Sequence, residues 1–204
     1  MKKIIIHGGC GAREEPSTPF EAYHEHLMPI ITAAYEYLVK SNNAVETALL
    51  AASLLEDDSI FNAGTGSRVQ QDGQIRMSAA YMDSIKNKFS GVINIQNVQY
   101  PSRVAKELQN QHHSILSGEH ATNHAYQVLK MKPYNPMTDK RWNEYIELKK
   151  GLTGTIGVVV LDDNDVICAI TSTGGAGFEV PGRVGDSPTV AGNFASSAMG
   201  ISCT

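Results

Sequence analysis

The stretch GLTGTIGVVVLDD, residues 151 to 163, decides how this chain is read. Thr155 stands in a Gly-Thr-Ile-Gly box and opens the apolar run Val158, Val159, Val160 and Leu161 directly after a polar segment. A strand needs no such entrance. A chain that is to be cut between Gly154 and Thr155, leaving the threonine as a new N-terminus, does. A threonine hydroxyl is a poor nucleophile until a base takes its proton, and a free α-amine, with an ordinary pKa of about 7.7–8.0, can be that base. One residue then carries both nucleophile and base. Glycine before the bond admits the strained backbone that self-attack requires. TGTIG by itself equally suits a plain strand start with a glycine bulge, so residues elsewhere must separate the two readings.

Working outward, 204 residues suit one domain with a substantial core. A net charge of -4 leaves no basic stripe to neutralise phosphates, which excludes a nucleic-acid or anionic-membrane surface as the main partner. No apolar run approaches the ~20 residues of a membrane span. The start, MKKIIIHGGCG, has only Ile4, Ile5 and Ile6 before His7 and so lacks a signal-peptide core. Cys10, Cys168 and Cys203 are odd in number and far apart, as expected of reduced thiols in the cytoplasm.

Strand and helix signals alternate along the chain. KKIIIHGG predicts a buried strand ending in a glycine turn. Thr18, Pro19 and Glu21 predict a capped helix running to about Lys40, and NAVE (43–46) predicts a second, ending near LLEDD. SRVQQDGQIRMSA predicts a hairpin about Asp72-Gly73, and GVINIQN another strand. Helices are expected over SRVAKELQNQ and over EHATNHAYQVLKM, the latter capped by Ser117. Residues 132–153, charged and with two prolines, predict an exposed, partly helical linker. TIGVVVLDD and DVICAITST predict two apolar strands joined at Asp163-Asn164. Helices are thus segregated from a largely antiparallel sheet pair, the α+β class. AMGISCT reads as the opening of one more strand, which raises the expectation of a C-terminally truncated chain.

Further blocks lie at IHGGCGA (6–12), LLEDDSIFNAGTGS (54–67), STGGAG (172–177) and PGRVGDS (181–187). With GTIG, in this order and spacing, they resemble the plant-type L-asparaginase/isoaspartyl peptidase family of N-terminal-nucleophile hydrolases, essentially from Lys3 to Thr204. The resemblance implies a single domain with a four-layer αββα sandwich, made as one precursor. Residues 1–154 would become the α chain and 155–204 the start of the β chain. It implies Thr155 as nucleophile, cleavage between Gly154 and Thr155, and Thr173 as the hydroxyl that orients the nucleophile. Arg183 and Asp186, with Val184 and Gly185 between them, match the clamp for the α-carboxylate and α-ammonium of an aspartyl-type substrate. Guanidinium–carboxylate and carboxylate–ammonium pairing suit those tasks. Asn62 matches an asparagine that approaches the threonine from the other subunit. Leu55, Glu56, Asp58, Phe61, Ala63 and Thr65 match a loop that wraps a sodium ion with main-chain carbonyls, and no cofactor is implied for catalysis.

The implied reaction is acyl transfer from L-asparagine or a β-aspartyl dipeptide, in a dimer of processed αβ units. The family's oxyanion donors lie in a threonine–glycine stretch directly after SCT, beyond Thr204. Other departures are GGCG for GGAG, Thr153 before the cleavage site, and Ser78 and Ser84 where the family carries aspartate and glycine. Two alternatives stay open: a non-catalytic truncated or unprocessed homologue, and a glycosylasparaginase-like enzyme with similar GTIG and RVGDS motifs. His120 and His124 have zinc-site spacing, but HATNH lacks the glutamate of HExxH and reads as a solvated helix face. GGCGA lacks the spacing of a phosphate loop and precedes the acidic AREEP, which excludes nucleotide binding.

Overall fold

The structure is a computed structural model that describes residues 1–9, 19–147 and 154–203. Its centre is a six-stranded sheet in the order β1-β5-β6-β2-β3-β4. The strands are β1 (Lys3–His7), β2 (Met77–Asp83), β3 (Ser90–Ile95), β4 (Ile115–Ser117), β5 (Thr155–Leu161) and β6 (Ile167–Thr173). All pairs are antiparallel except β3 with β4. A two-stranded ribbon, β7 (Asn193–Ala195) and β8 (Gly200–Ser202), lies against β2, β5 and β6.

Strand alternation sorts the side chains onto two faces. Ile156, Val158 and Val160 of β5, with Cys168 and Ile170 of β6, join one large apolar core. That core is roofed by α1 (Phe20–Ser41), α2 (Ala44–Asp57), α3 (Pro101–Leu108) and α4 (Gly118–Gln127). Val159, Ile167 and Ala169 point the other way and pack with Ala195 and Phe194 of the ribbon. A helix layer and a ribbon layer therefore cover opposite faces of one sheet.

The α1–α2 corner is built from two asparagines. Asn42 closes α1 in the left-handed conformation, φ 48°, and its N–H reaches Leu38 O at 3.0 Å. Asn43 Oδ1 accepts the Glu46 N–H at 3.0 Å and starts α2. Asp162, at the β5–β6 turn, accepts the Ala44 N–H at 3.0 Å, so a carboxylate meets the positive end of α2. Helix α2 is buried along nearly its whole length because α1 covers it on one side and β5 and β6 on the other. Ala48, Ala51 and Ala52 permit that close approach.

Some expectations change. The hairpin about Asp72-Gly73 is reduced to its tip: Gly73, at φ 77°, places its N–H on Gln70 O, and Gln70 N–H reaches Gln74 O at 2.9 Å, but the arms form no regular strands. Its first arm instead bonds residues 178 and 179, Phe178 N–H to Val69 O and Gln71 N–H to Glu179 O, so β2 begins only at Met77. Pro19 is the cap of α1 rather than its first residue, and Thr18 lies outside the described residues. In the segment 132–147, α5 (Asp139–Ile146) is capped by Thr138, whose Oγ1 accepts the Arg141 N–H at 3.3 Å. The rest of this segment is largely exposed, but it is moored: Arg141 is buried with Nε on Gly66 O, and Tyr134 shares a hydrogen bond with Thr65 at 2.7 Å. Residues 148–153 of the expected linker lie outside the described residues.

Candidate active site

Thr155 is the first residue of β5, and β6 holds Thr173 directly opposite it. Both belong to the odd-numbered, ribbon-facing set. The Thr155 hydroxyl donates to Thr173 Oγ1 at 3.4 Å, and both residues are buried. Thr173 Oγ1 also accepts the Gly175 N–H at 3.1 Å, which fixes where its lone pairs point. Two adjacent hydroxyls in an enclosed place, one of them anchored by a main-chain donor, hold each other in a defined orientation.

The bond before Thr155 is hemmed in by backbone. Gly9, at φ 107°, lies so close to it that an added Cβ would stand 3.0 Å from Gly154 Cα and 3.2 Å from Thr155 N. Only glycine fits there, which explains the turn at the end of β1. Asn62 Cβ lies on the other side, 3.6 Å from where a Cβ on Gly154 would be. Asn62 Nδ2 donates to Gly175 O at 2.6 Å, its Oδ1 accepts Arg68 N–H, and its carbonyl accepts Gly174 N–H at 2.8 Å. Asn62 lies beside Gly154 within this chain because the α2–β2 connection folds beneath the STGG loop.

On the same face, a Cβ on Gly157 would collide with His7 Nε2 and Ser202 Oγ. Burial holds the His7 imidazole below its usual range, with the backbone at Ser202 and Thr155 drawing it partly back. Ser202 and Thr171 share a hydrogen bond at 2.7 Å, and Thr171 Oγ1 donates to Asn193 Oδ1 at 2.9 Å. Among the described residues, the surroundings of Thr155 are therefore rich in hydroxyls and include the buried His7 imidazole.

Arg183, Val184 and Asp186 stand on an exposed loop, with Gly185 under the Arg183 guanidinium. Arg183 connects to the Thr173 end of the site through Glu179, whose Oε2 accepts both Arg183 Nη1 at 3.0 Å and Ala176 N–H at 2.9 Å. The Asp186 carbonyl closes the next turn by accepting the Thr189 N–H at 2.9 Å.

Of the expected sodium positions, Leu55 and Glu56 lie in the last turn of α2, while Asp58, Phe61, Ala63 and Thr65 follow it on a loop that curls back against the helix. Glu56 O accepts Thr65 N–H at 2.7 Å and Asp58 O accepts Phe61 N–H at 3.2 Å. Each of these carbonyls keeps a second lone pair, and oxygen-only donors of this kind suit a hard cation. Gly64, at φ 53°, passes so near the Glu56 carbonyl that no side chain could stand there. The Asp58 side chain is engaged elsewhere, by His26 Nδ1 at 2.5 Å and Ile60 N–H at 3.1 Å.

The Glu56 side chain is a finding of the tertiary structure. It is fully buried and receives Ser102 N–H at 3.0 Å, Ser102 Oγ at 2.6 Å and Ser172 Oγ at 2.7 Å. Burial pushes its carboxyl up to about 7 against these donors. Glu179 was equally unforeseen, although the signal was present: Pro181-Gly182 predicts a turn that folds a glutamate against an arginine four residues on. His124 pairs with Glu107 of α3 at 2.5 Å. A depression of about 540 Å³ opens beside Phe20, Glu21, His24, Glu25 and Met28 of α1, and none of these residues belongs to the Thr155 site. Among the described residues no helix is long and apolar enough to cross a membrane.

Comparison with known proteins extends this picture along the chain. The family model described as asparaginase matches residues 1–153 and 147–204. An isoaspartyl peptidase/L-asparaginase of Synechocystis sp. is 40% identical over 221 residues, spanning 99% of this chain and 67% of its own length. A protein of the same description from Nostoc sp. is 39% identical, spanning 99% and 70%. The plant-type L-asparaginase of Pyrococcus abyssi is 34% identical, spanning 100% and 73%.

Proposed function

This chain belongs to the asparaginase family, and from that premise we propose that it is a precursor of a threonine-type amidohydrolase acting on L-asparagine or β-aspartyl dipeptides. The observation that carries the reading is the Thr155–Thr173 hydroxyl pair at 3.4 Å, one residue after a glycine. Thr155 Oγ attacks the Gly154 carbonyl, the acyl group shifts from nitrogen to oxygen, and water hydrolyses the ester. The α-amine of Thr155 is then free. In turnover that amine takes the hydroxyl proton while Oγ attacks the side-chain carbonyl of the substrate. The resulting ammonium gives that proton to the departing nitrogen, so ammonia or an amino acid leaves. The amine, neutral again, then takes a proton from water, which attacks the ester, and returns it to Oγ as aspartate is released.

Arg183 would hold the substrate's α-carboxylate and Asp186 its α-ammonium, with Val184, Gly185 and Asn62 shaping the place between. Thr173 keeps the nucleophile aimed. A sodium ion on the main-chain oxygens of Leu55, Glu56, Asp58, Phe61, Ala63 and Thr65 would stiffen the loop that carries Asn62, without taking part in the chemistry. The ribbon is read as the beginning of a second sheet in a four-layer αββα sandwich. Processed αβ units would pair as a dimer in the cytoplasm, whose reducing conditions suit the free thiols Cys168 and Cys203.

The test is intact mass and N-terminal sequencing after several days at neutral pH, together with ammonia release from L-asparagine. A fragment beginning Thr-Ile-Gly, appearing in step with activity, is the expected result. Hydrolysis by a chain that stays whole would remove Thr155 from its role. A cleaved chain inert towards both substrates would remove the substrate assignment.

A further inference from the structure

Glu179 has a side chain only 6% exposed, yet it reaches a loop that faces solvent. A carboxylate in such a place must be paired. Its Oε1 accepts Gln70 Nε2 at 3.0 Å, and its Oε2 accepts Ala176 N–H at 2.9 Å and Arg183 Nη1 at 3.0 Å. Its backbone is pinned as well, since Glu179 O accepts Gln71 N–H at 3.0 Å and the neighbouring Phe178 N–H reaches Val69 O at 2.7 Å. Gly175, at φ 82°, leaves just enough room for the carboxylate, because a Cβ there would collide with Oε1.

Arg183 is delivered to this carboxylate by the Val180-Pro181-Gly182-Arg183 turn. Its N–H donates to Val180 O at 3.1 Å, and Gly182 takes φ 86°, the conformation a type II turn demands after proline. The Arg183 side chain remains 44% exposed. One side of the guanidinium is therefore fixed, and among the described residues no other hydrogen bond engages the remaining donors of its fork, which can meet an incoming ligand.

We propose that Glu179 is the positioning residue for Arg183 and thereby sets the site's preference for ligands bearing a free α-carboxylate. A long exposed arginine samples many rotamers, and a clamp built on it loses binding free energy when that freedom is frozen. Tethering Nη1 to a buried carboxylate removes most of that freedom before the ligand arrives. The same carboxylate bonds Ala176, next to the Gly175 whose N–H reaches Thr173, so clamp and nucleophile are referred to one anchor. The proposal rests on the reading of Arg183 as the carboxylate clamp.

Binding calorimetry of L-aspartate and of its α-amide, L-isoasparagine, separates this role from mere support of the loop. The two ligands share the α-ammonium and the side-chain carboxylate and differ only at the group Arg183 would hold. The native protein is expected to bind L-aspartate ~10-fold or more tightly than the α-amide. Glu179→Ala should reduce that preference to about 3-fold or less, and Glu179→Gln, which keeps an acceptor for Nη1, should restore most of it. Equal weakening of both ligands in Glu179→Ala, an undiminished preference in that variant, or no preference in the native protein would each overturn the proposal. Hydrolysis of L-asparagine by the native protein is measured alongside. A binding preference without hydrolysis leaves the positioning role standing and removes the catalytic reading.

Discussion

The two faces of the central sheet are made by the same strands and have opposite characters. Against the helices, Ile156, Val158, Val160, Cys168 and Ile170 build a dry core in which Glu56 is a buried carboxylate met by Ser172 and Ser102. Against the ribbon, Thr155, Thr171, Thr173, Ser202 and His7 line a polar layer with small apolar patches beside it. The first face holds the large apolar core, and the second holds Thr155 and Thr173, the residues proposed to carry the chemistry. Alternate residues of β5 and β6 serve each, so neither function can drift without disturbing the other.

The largest effect should come from the ribbon face. Thr155→Ala should abolish both release of the Thr-Ile-Gly fragment and hydrolysis of L-asparagine, by ~10³-fold or more, with the urea midpoint nearly unchanged. A variant that still turns over within tenfold of native would break the assignment of chemistry to that face.

The helix face should instead reveal itself through pH. Burial raises the Glu56 carboxyl from its ordinary value of 4.5 to about 7, so the folded chain keeps a proton that the unfolded chain releases. Stability then falls as pH rises from about 4.5 through about 7 and levels off above that. Glu56→Gln should remove this slope, gaining up to about 3 kcal/mol on native between pH 5 and pH 8. Urea titrations at the two pH values check it, and a native-like slope in the variant would locate the titrating group elsewhere.

Gly157→Ala sharpens the contrast, since its new methyl would enter the space of His7 Nε2 and Ser202 Oγ on the ribbon side alone. A loss of roughly 1–3 kcal/mol is expected in urea unfolding, with a fall in processing rate as the start of β5 shifts. The smallest effect belongs to the periphery of the helix layer. Asn43→Ala should cost about 1 kcal/mol by removing the cap from α2, and should leave the pH slope of the native protein unchanged.

Much of the fold was legible because its signals are local. The apolar run from Ile156 to Leu161, the capping pattern of Asn43 to Glu46 and the periodicity of α1 each declare an element within a few residues. The Asp72-Gly73 hairpin misled for the same reason. Its turn and the bond from Gln70 N–H to Gln74 O are real, but Val69 and Gln71 bond to residues 178 and 179, about a hundred positions away. The mooring of 132–147 was hidden likewise, because Arg141 is a charged residue whose partner is the carbonyl of Gly66.

The sequence alone determined that Thr155 opens one apolar strand and that Thr173 ends another, and the family resemblance implied that the two meet; the register that sets them opposite each other came from the structure. Only the tertiary structure decided that Asn62 lies beside Gly154 in the same chain, that Glu179 holds Arg183, and that Glu56 joins α3 to β6. Backbone preferences act between near neighbours and leave a periodic trace. A buried carboxylate takes whichever donors the packed chain brings to it, here from 46 and 116 positions away, and no periodicity records that choice.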